Sequence, residues 1–282
     1  VNNAARRKII SRIVEALCAL AVVLALIPLA MILFYVLTRG LSALNFAFFT
    51  HTPKPVGEAG GGMANAIVGT LILIGIAALF AVPIGIICGI HLAEYAGTKF
   101  SSIVRFAADV LNGVPSIVIG MFAYGLVVLP VKRFSAIAGG VALGLLMIPI
   151  VVRTTEELLR LVPSGLREGA LALGATRSRA VFGVIVPAAL PGILTGILVA
   201  LARVAGETAP LLFTSFNNAY WSTNLMQPMA SLTYQVYTYA LSPYDDWHRQ
   251  AWAGAFLLVM MILTLSIAAR LAVRRLERMN RP

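Results

Sequence analysis

The feature that most limits what this chain can become is a series of long apolar runs. A helix needs roughly 20 apolar residues to cross the ~30 Å hydrocarbon core of a bilayer. Six stretches approach or exceed that length: 14–37, 66–92, 103–129, 137–152, 184–213 and 251–269. The fourth is short unless its helix continues into the Arg153 region. Each reads as a spanning helix, because lipid offers backbone N–H and C=O groups no partners and a helix satisfies them internally. With 60% of its 282 residues hydrophobic and 12% charged, the chain carries more apolar surface than one soluble domain buries. The expected fold class is an all-α integral membrane protein: six transmembrane helices over 14–270, a basic segment 1–13 before them and a basic tail 271–282 after.

The net charge of +11 does not point to nucleic acid, since no polar segment is long enough to fold into a basic surface. It sorts by side instead. Six spans put both termini on one side. If that side is the cytoplasm, sixteen of the 22 Lys and Arg residues lie inside: the cluster Arg6, Arg7, Lys8 and Arg12, then Lys99 and Arg105, the five arginines of 153–179, and the five of 270–281. Arg39, Lys54, Lys132, Arg133 and Arg249 lie outside, and Arg203 falls within a span. The bias favours cytoplasmic termini and places the 153–187 loop in the cytoplasm. The opening basic cluster resembles the start of a signal peptide, but the apolar run after it is too long and no convincing cleavage site follows, so it is read as a retained first span. Cys18 and Cys88 lie apart in apolar runs, where thiols serve as small hydrophobes.

Two outside segments exceed simple hairpins. Residues 40–62, with Pro53, Pro55 and Gly60 to Gly62, suit an irregular surface loop. Within 217–250, the stretch 225–241 is apolar but interrupted by Gln227, Ser231, Thr233, Gln235 and Thr238, which predicts an interfacial or partly re-entrant helix rather than a seventh span. Gly85 with Gly89, Gly140 with Gly144, and Gly192 with Gly196 are spaced for close helix approach, within the chain rather than across a dimer. Pro28, Pro83, Pro115, Pro149, Pro191 and Pro210 predict kinks or local unwinding.

The 164–210 stretch joins a polar, arginine-bearing loop directly to an apolar span. In the loop, Glu168, Gly169 and Ala170 are followed after three residues by Gly174, and after nine more by Val184, Ile185, Val186 and Pro187. Ser164 is placed to cap a short helix whose Leu166, Ala170 and Leu173 share a face, and Gly174 to end it. Such an amphipathic knob suits a groove on a soluble partner; an ordinary surface helix is the alternative. The order and spacing resemble the E-A-A, three, G, nine, I-x-L-P signature of ABC transporter permeases, the loop that docks on the ATPase subunit. Gly169 stands where the family has its second Ala, which lowers helix propensity but keeps the spacing.

The resemblance narrows at GGMANAIVGT (61–70), DVLNGVPSIVIGMFAY (109–124), VRTTE (152–156) and ARVAGETAPLL (202–212). Together these are similar to the A-type permease family of bacterial phosphate-specific transporters, over nearly the whole chain. The resemblance implies the six-helix fold of type I ABC importer permeases in the bacterial inner membrane. It implies ATPase coupling through Glu168, Gly169, Ala170, Gly174 and Pro187. It also implies a C-type permease as heterodimer partner, two copies of an ATPase that bind ATP and Mg, and an extracytoplasmic phosphate-binding protein. This chain then binds no cofactor and hydrolyses nothing itself.

Ionised groups inside apolar spans are costly and tend to mark a pathway or a partner. Arg203 and Glu207 lie four apart, on one face if the helix is continuous, with Gly206 and Pro210 beside them suggesting local unwinding. The arginine fork suits phosphate oxygens; Glu207 pairs with Arg203 or accepts a proton from the anion. A purely structural ion pair is the alternative. Arg153 and Glu156 stand at the cytoplasmic end of the fourth span, either solvated or forming an inner gate. Asp109, before the Asn112, Gly113, Pro115 break, contacts substrate, caps the broken helix or pairs with Arg105. There is no Gly-x4-Gly-Lys-Ser/Thr loop, and His51, His91 and His248 are scattered, so no nucleotide site or reactive cluster is expected. The predicted function is inward phosphate transport as the permease subunit of an ABC importer. A permease for sulfate, molybdate or another oxyanion, and a secondary transporter or channel, remain as alternatives.

Overall fold

The computed structural model describes residues 3–58 and 60–279. The chain runs through α1 (Asn3–Ala43), α2 (Phe46–Thr50), α3 (Ala64–Glu94), α4 (Lys99–Gly113), α5 (Ser116–Val131), α6 (Ala136–Arg160), α7 (Ser164–Ala172), α8 (Arg177–Ala205), α9 (Ala209–Leu212), α10 (Leu232–Ala240) and α11 (Asp245–Met279). No strand occurs among the described residues. Five helices are long and apolar enough to cross a membrane, or six if the bent pair α4–α5 is counted as one span. Arg281 of the expected basic tail lies outside the described residues.

The axis of the bundle is α6. Its best apolar window is 61% buried, against 28% for α3 and none for α1. The fourth run, short in the sequence, is completed as expected by continuing through Val152 to Arg160. Close approach to α6 explains all three glycine pairs. A Cβ at Gly85 or Gly89 would press into Val151 or Thr155, and one at Gly192 or Gly196 into Leu158 or Thr154, while on α6 itself Gly140 and Gly144 make room for Ile76 and the Phe80 ring. The spacing therefore serves packing within the chain.

The third run is not one continuous span. It breaks between α4 and α5 with a bend of 108°. The cause is local: Val114 precedes Pro115, is held out of the α region with ψ 131°, and leaves α4 ending at Gly113. Pro28, Pro83, Pro149 and Pro191, by contrast, lie inside continuous helices. Ahead of Pro130 and Pro187 the backbone widens into π turns, Tyr124–Val128 and Val181–Ile185. A wider turn accommodates a residue that lacks an N–H and crowds the preceding carbonyl.

The 225–241 segment folds into the bundle at its middle. The Leu225 and Gln227 carbonyls accept from the Ile137 and Ala136 N–H groups at 3.1 and 3.0 Å. With Ser135 accepting from Ala138 N at 3.2 Å, they satisfy donors at the start of α6 that have no partner inside the helix. Leu232 N–H donates to Thr70 Oγ1 at 2.8 Å, and Ser231, Leu232 and Gln235 are all buried. The middle of the segment, 231–235, packs into the bundle where its polar groups find partners, while Leu225, Met226, Tyr237 and Leu241 stay exposed. α1 touches the rest mainly near its end, where Gly40 abuts Trp252 and Phe256 of α11, and most of its length is exposed.

Candidate functional site

Polar residues gather at two places: the end of the bundle where α3, α4, α6 and α7 meet, and the break that follows α8. At the first, α7 stands out from the bundle with none of its residues buried. Its start departs from the sequence reading. Pro163, with ψ 134°, occupies the cap position, Ser164 is the first helical residue, and its side chain makes no capping bond. Proline already sets the entry into a first turn, which draws Ser164 inside. The end is as expected. Gly174 takes φ +84°, its N–H donates to Leu171 O at 3.0 Å, and Ala175 N–H donates to Ala170 O at 3.1 Å. Nothing lies within 4 Å of a Cβ placed at Gly169, so the departure from the family pattern there is sterically silent. Leu166, Leu171 and Leu173 are exposed, Leu173 at 91%. Glu168 is exposed beside them, and Pro187 sits within α8, just past its π turn. Arg167 ties α7 to the end of α3 through Glu94, at 2.5 Å.

Behind this helix lies an ion cluster that joins α4 to α6. Glu156 is 1% exposed. Its Oε1 accepts from Arg105 Nε and Nη2 at 3.1 and 2.7 Å and faces Arg160 Nη2 at 2.9 Å; its Oε2 accepts from Arg153 Nη1 at 3.0 Å. Arg153 turns its other edge to Asp109, with Nε 2.9 Å from Oδ1 and Nη2 donating to Oδ2 at 3.2 Å. Removing a lone carboxylate from water costs several kcal/mol, and three guanidinium groups offset that cost here. Asp109 therefore pairs with Arg153, not with Arg105, because Arg105 is already committed to Glu156. Glu156 has no open face in this arrangement. Sequence reasoning named Arg105 only as a possible partner and passed over Arg160, Glu94 and Arg167. The signal for the first two was present: Arg153, Glu156 and Arg160 recur at helical spacing, as do Arg105 and Asp109.

The second place is the break after Ala205. Gly206 N–H donates to Arg203 O at 3.2 Å, Glu207 N–H to Val204 O at 3.1 Å, and the chain then turns into α9. The expected unwinding is present, and it separates the two charges. Arg203 is exposed, Glu207 is half-buried, and no ion pair joins them. The Glu207 backbone carbonyl accepts from Thr233 Oγ1 at 3.0 Å, which fastens the break to the 225–241 segment. Leu201 and Ala205 border the same apolar groove as Leu71, Gly75 and Thr264. Leu71 lies about 10 Å into α3 from its first residue, at 1.5 Å per residue, so the break stands beside the first third of that apolar helix. Among the described residues no group of three His, Cys, Asp or Glu is placed to hold a metal ion.

Comparison with known proteins bears on this arrangement. Residues 81–281 match the family described as the binding-protein-dependent transport system inner membrane component. The chain is 46% identical to the phosphate transport system permease protein PstA of Yersinia pestis over 261 residues, covering 92% of this chain and 88% of that one. It is 45% identical to the protein of the same name from Haemophilus influenzae, covering 94% of both. Among solved structures, a chain of a bacterial alginate ABC transporter superposes with a TM-score of 0.68 at 15% identity, covering 95% of this chain and 96% of that one. That likeness establishes the type I importer permease fold.

Proposed function

The chain belongs to the PstA family of phosphate transport system permeases, and from that premise we propose that it forms half of a transmembrane pore through which inorganic phosphate enters the cell. It is a multi-pass protein of the inner membrane. The observation that carries the coupling half of this reading is α7, a short helix with exposed leucines, ended by a left-handed Gly174 and tied to α3. ATP and Mg bind to a pair of separate ATPase subunits, which seat on α7, and ATP-driven closure of that pair moves α7 and the helix ends behind it. A C-type permease completes the pore, and an extracytoplasmic phosphate-binding protein delivers the anion at the face opposite α7. Both termini lie in the cytoplasm, as the distribution of Lys and Arg favours.

Within the chain, Arg203 is the residue assigned to phosphate. It is a planar cation at the end of an apolar helix, not neutralised by Glu207, and its fork matches two phosphate oxygens. Glu207, one turn away and half-buried, is assigned to the protonated oxygen of the same anion. Arg153 and Asp109 line the route nearer the cytoplasm.

The test is uptake into proteoliposomes holding the four-subunit assembly and its binding protein. Phosphate accumulates on ATP addition and sulfate and molybdate do not; preferential uptake of either rival oxyanion overturns the assignment. A cysteine at Ala170 cross-links to the ATPase in the intact complex, and absence of that product removes α7 from the interface.

A further inference from the structure

Among the described residues Glu156 is the most enclosed charge and the one with the most partners, and this holds whether or not phosphate ever approaches it. We propose that Glu156 is a positioning residue: it clamps the α4 arm in register on α6, and the arm swings as a unit about Gly113–Pro115 when the docking end of the bundle moves. The proposal deepens the coupling reading above and rests on it for its link to ATP.

Four observations carry it. First, the contacts alternate in sign. Arg105 of α4 meets Glu156 of α6, and one turn along, Asp109 of α4 meets Arg153 of α6. Sliding α4 by one turn would set Asp109 against Glu156, so the charges permit a single register, the best-attested use of a buried ion pair. Second, little else holds the arm. Its apolar contacts with the bundle are few: Ala108 and Val104 pack with Leu92, Cys88, Val152 and Ile148, and Phe100 meets the His91 ring edge-on at 5.1 Å, while Ser101 Oγ ties the start of the arm to Tyr95 O at 2.6 Å and Ile103, Phe106 and Val110 are exposed. Third, the arm has a hinge: Gly113, the extended Val114 and Pro115 make the 108° break. Fourth, the clamp is wired to the docking helix. Arg160, on Glu156, also donates to the Leu92 carbonyl at 3.5 Å, and two residues on, Glu94 receives Arg167 of α7. Movement of α7 therefore pulls on the same helix end that Arg160 braces.

A clamp and a phosphate contact make different predictions for Glu156→Gln, which keeps the shape and removes the charge. The experiment uses the full reconstituted complex, with spin labels at Ile103 and Leu161, both exposed, in a background lacking Cys18 and Cys88. With Glu156 intact, pulsed electron resonance gives one narrow distance in the ATP-free state. With Glu156→Gln, the ratio of clamped to released arm falls by roughly tenfold, as loss of a charge-assisted pair implies. In the same preparation, turnover at saturating binding protein falls, ATPase activity without binding protein rises, and the KM for phosphate-loaded binding protein stays unchanged. Should Glu156→Gln not assemble, Arg105→Gln releases the same arm while leaving Arg153 on Glu156, and the same distance shift is expected. An unchanged distance distribution in the assembled variants, or a raised KM with the arm still clamped, overturns the proposal. The distance readout needs no phosphate, so it fails or succeeds separately from the substrate assignment.

Discussion

The two charged regions of this molecule solve opposite problems. At the docking end every buried charge is answered: one enclosed carboxylate meets three guanidinium groups, one of which also forks onto Asp109, and Glu94 holds Arg167. At the break after α8, Arg203 and Glu207 flank the end of an apolar helix and do not pair. Glu156, saturated by its three arginines, spends its interactions on architecture. Arg203, which pairs with no carboxylate among the described residues, keeps its donors open, and on the proposed reading they serve the arriving anion. On the proposed reading the difference is one of function as well as of geometry, and it can be pressed from either side.

The largest effect is expected at the clamp. Glu156→Ala removes the shared partner of Arg105, Arg153 and Arg160; because these groups are partly exposed and Arg153 keeps Asp109, the loss is expected at the low end for a broken buried pair, about 3 kcal/mol. Thermal unfolding in detergent should show it as the most destabilising of the charge removals. At the surface of the same end, Leu173→Asp should leave unfolding unchanged, because the side chain is 91% exposed. It should weaken ATPase binding at least tenfold, in keeping with the roughly 2 kcal/mol lost when an anchoring side chain leaves an interface. Pull-down with purified ATPase measures it. Arg153→Lys keeps the charge but removes the planar fork that spans Glu156 and Asp109, and a loss of about 1 kcal/mol in unfolding is expected. Glu207→Gln is the smallest: with no ion pair to lose, unfolding should move by less than about 0.5 kcal/mol. A shift as large as that of Glu156→Ala would erase the distinction between the two regions.

Most of the fold was legible in the sequence because bilayer thickness sets helix length. The runs, the completion of the fourth span through Arg153, the intrachain role of the glycine pairs and the Gly174 stop all follow from local rules. What local rules missed was long-range. The 108° turn at Pro115 could be anticipated as a break but not as an angle. The burial of Leu232 and Gln235 depends on partners at Thr70 and Asn217, 162 and 18 positions away in sequence. The ion cluster shows the same limit: Arg153 and Glu156 were evident, but Arg105 reaches Glu156 across 51 positions, and only the packed bundle shows that it leaves Asp109 to Arg153. The break between Arg203 and Glu207 was foreshadowed by Gly206. The absence of a pair between them was not, since i, i+4 spacing alone argues for one.

The most direct test is Arg203→Ala, read in two ways on one preparation. If the unpaired arginine holds the anion, phosphate uptake into proteoliposomes falls about 10- to 100-fold, the equivalent of roughly 1.5–3 kcal/mol of charge-assisted contact, while assembly and unfolding stay as in the parent. Undiminished uptake, or uptake lost only in proportion to lost folded complex, would contradict the account.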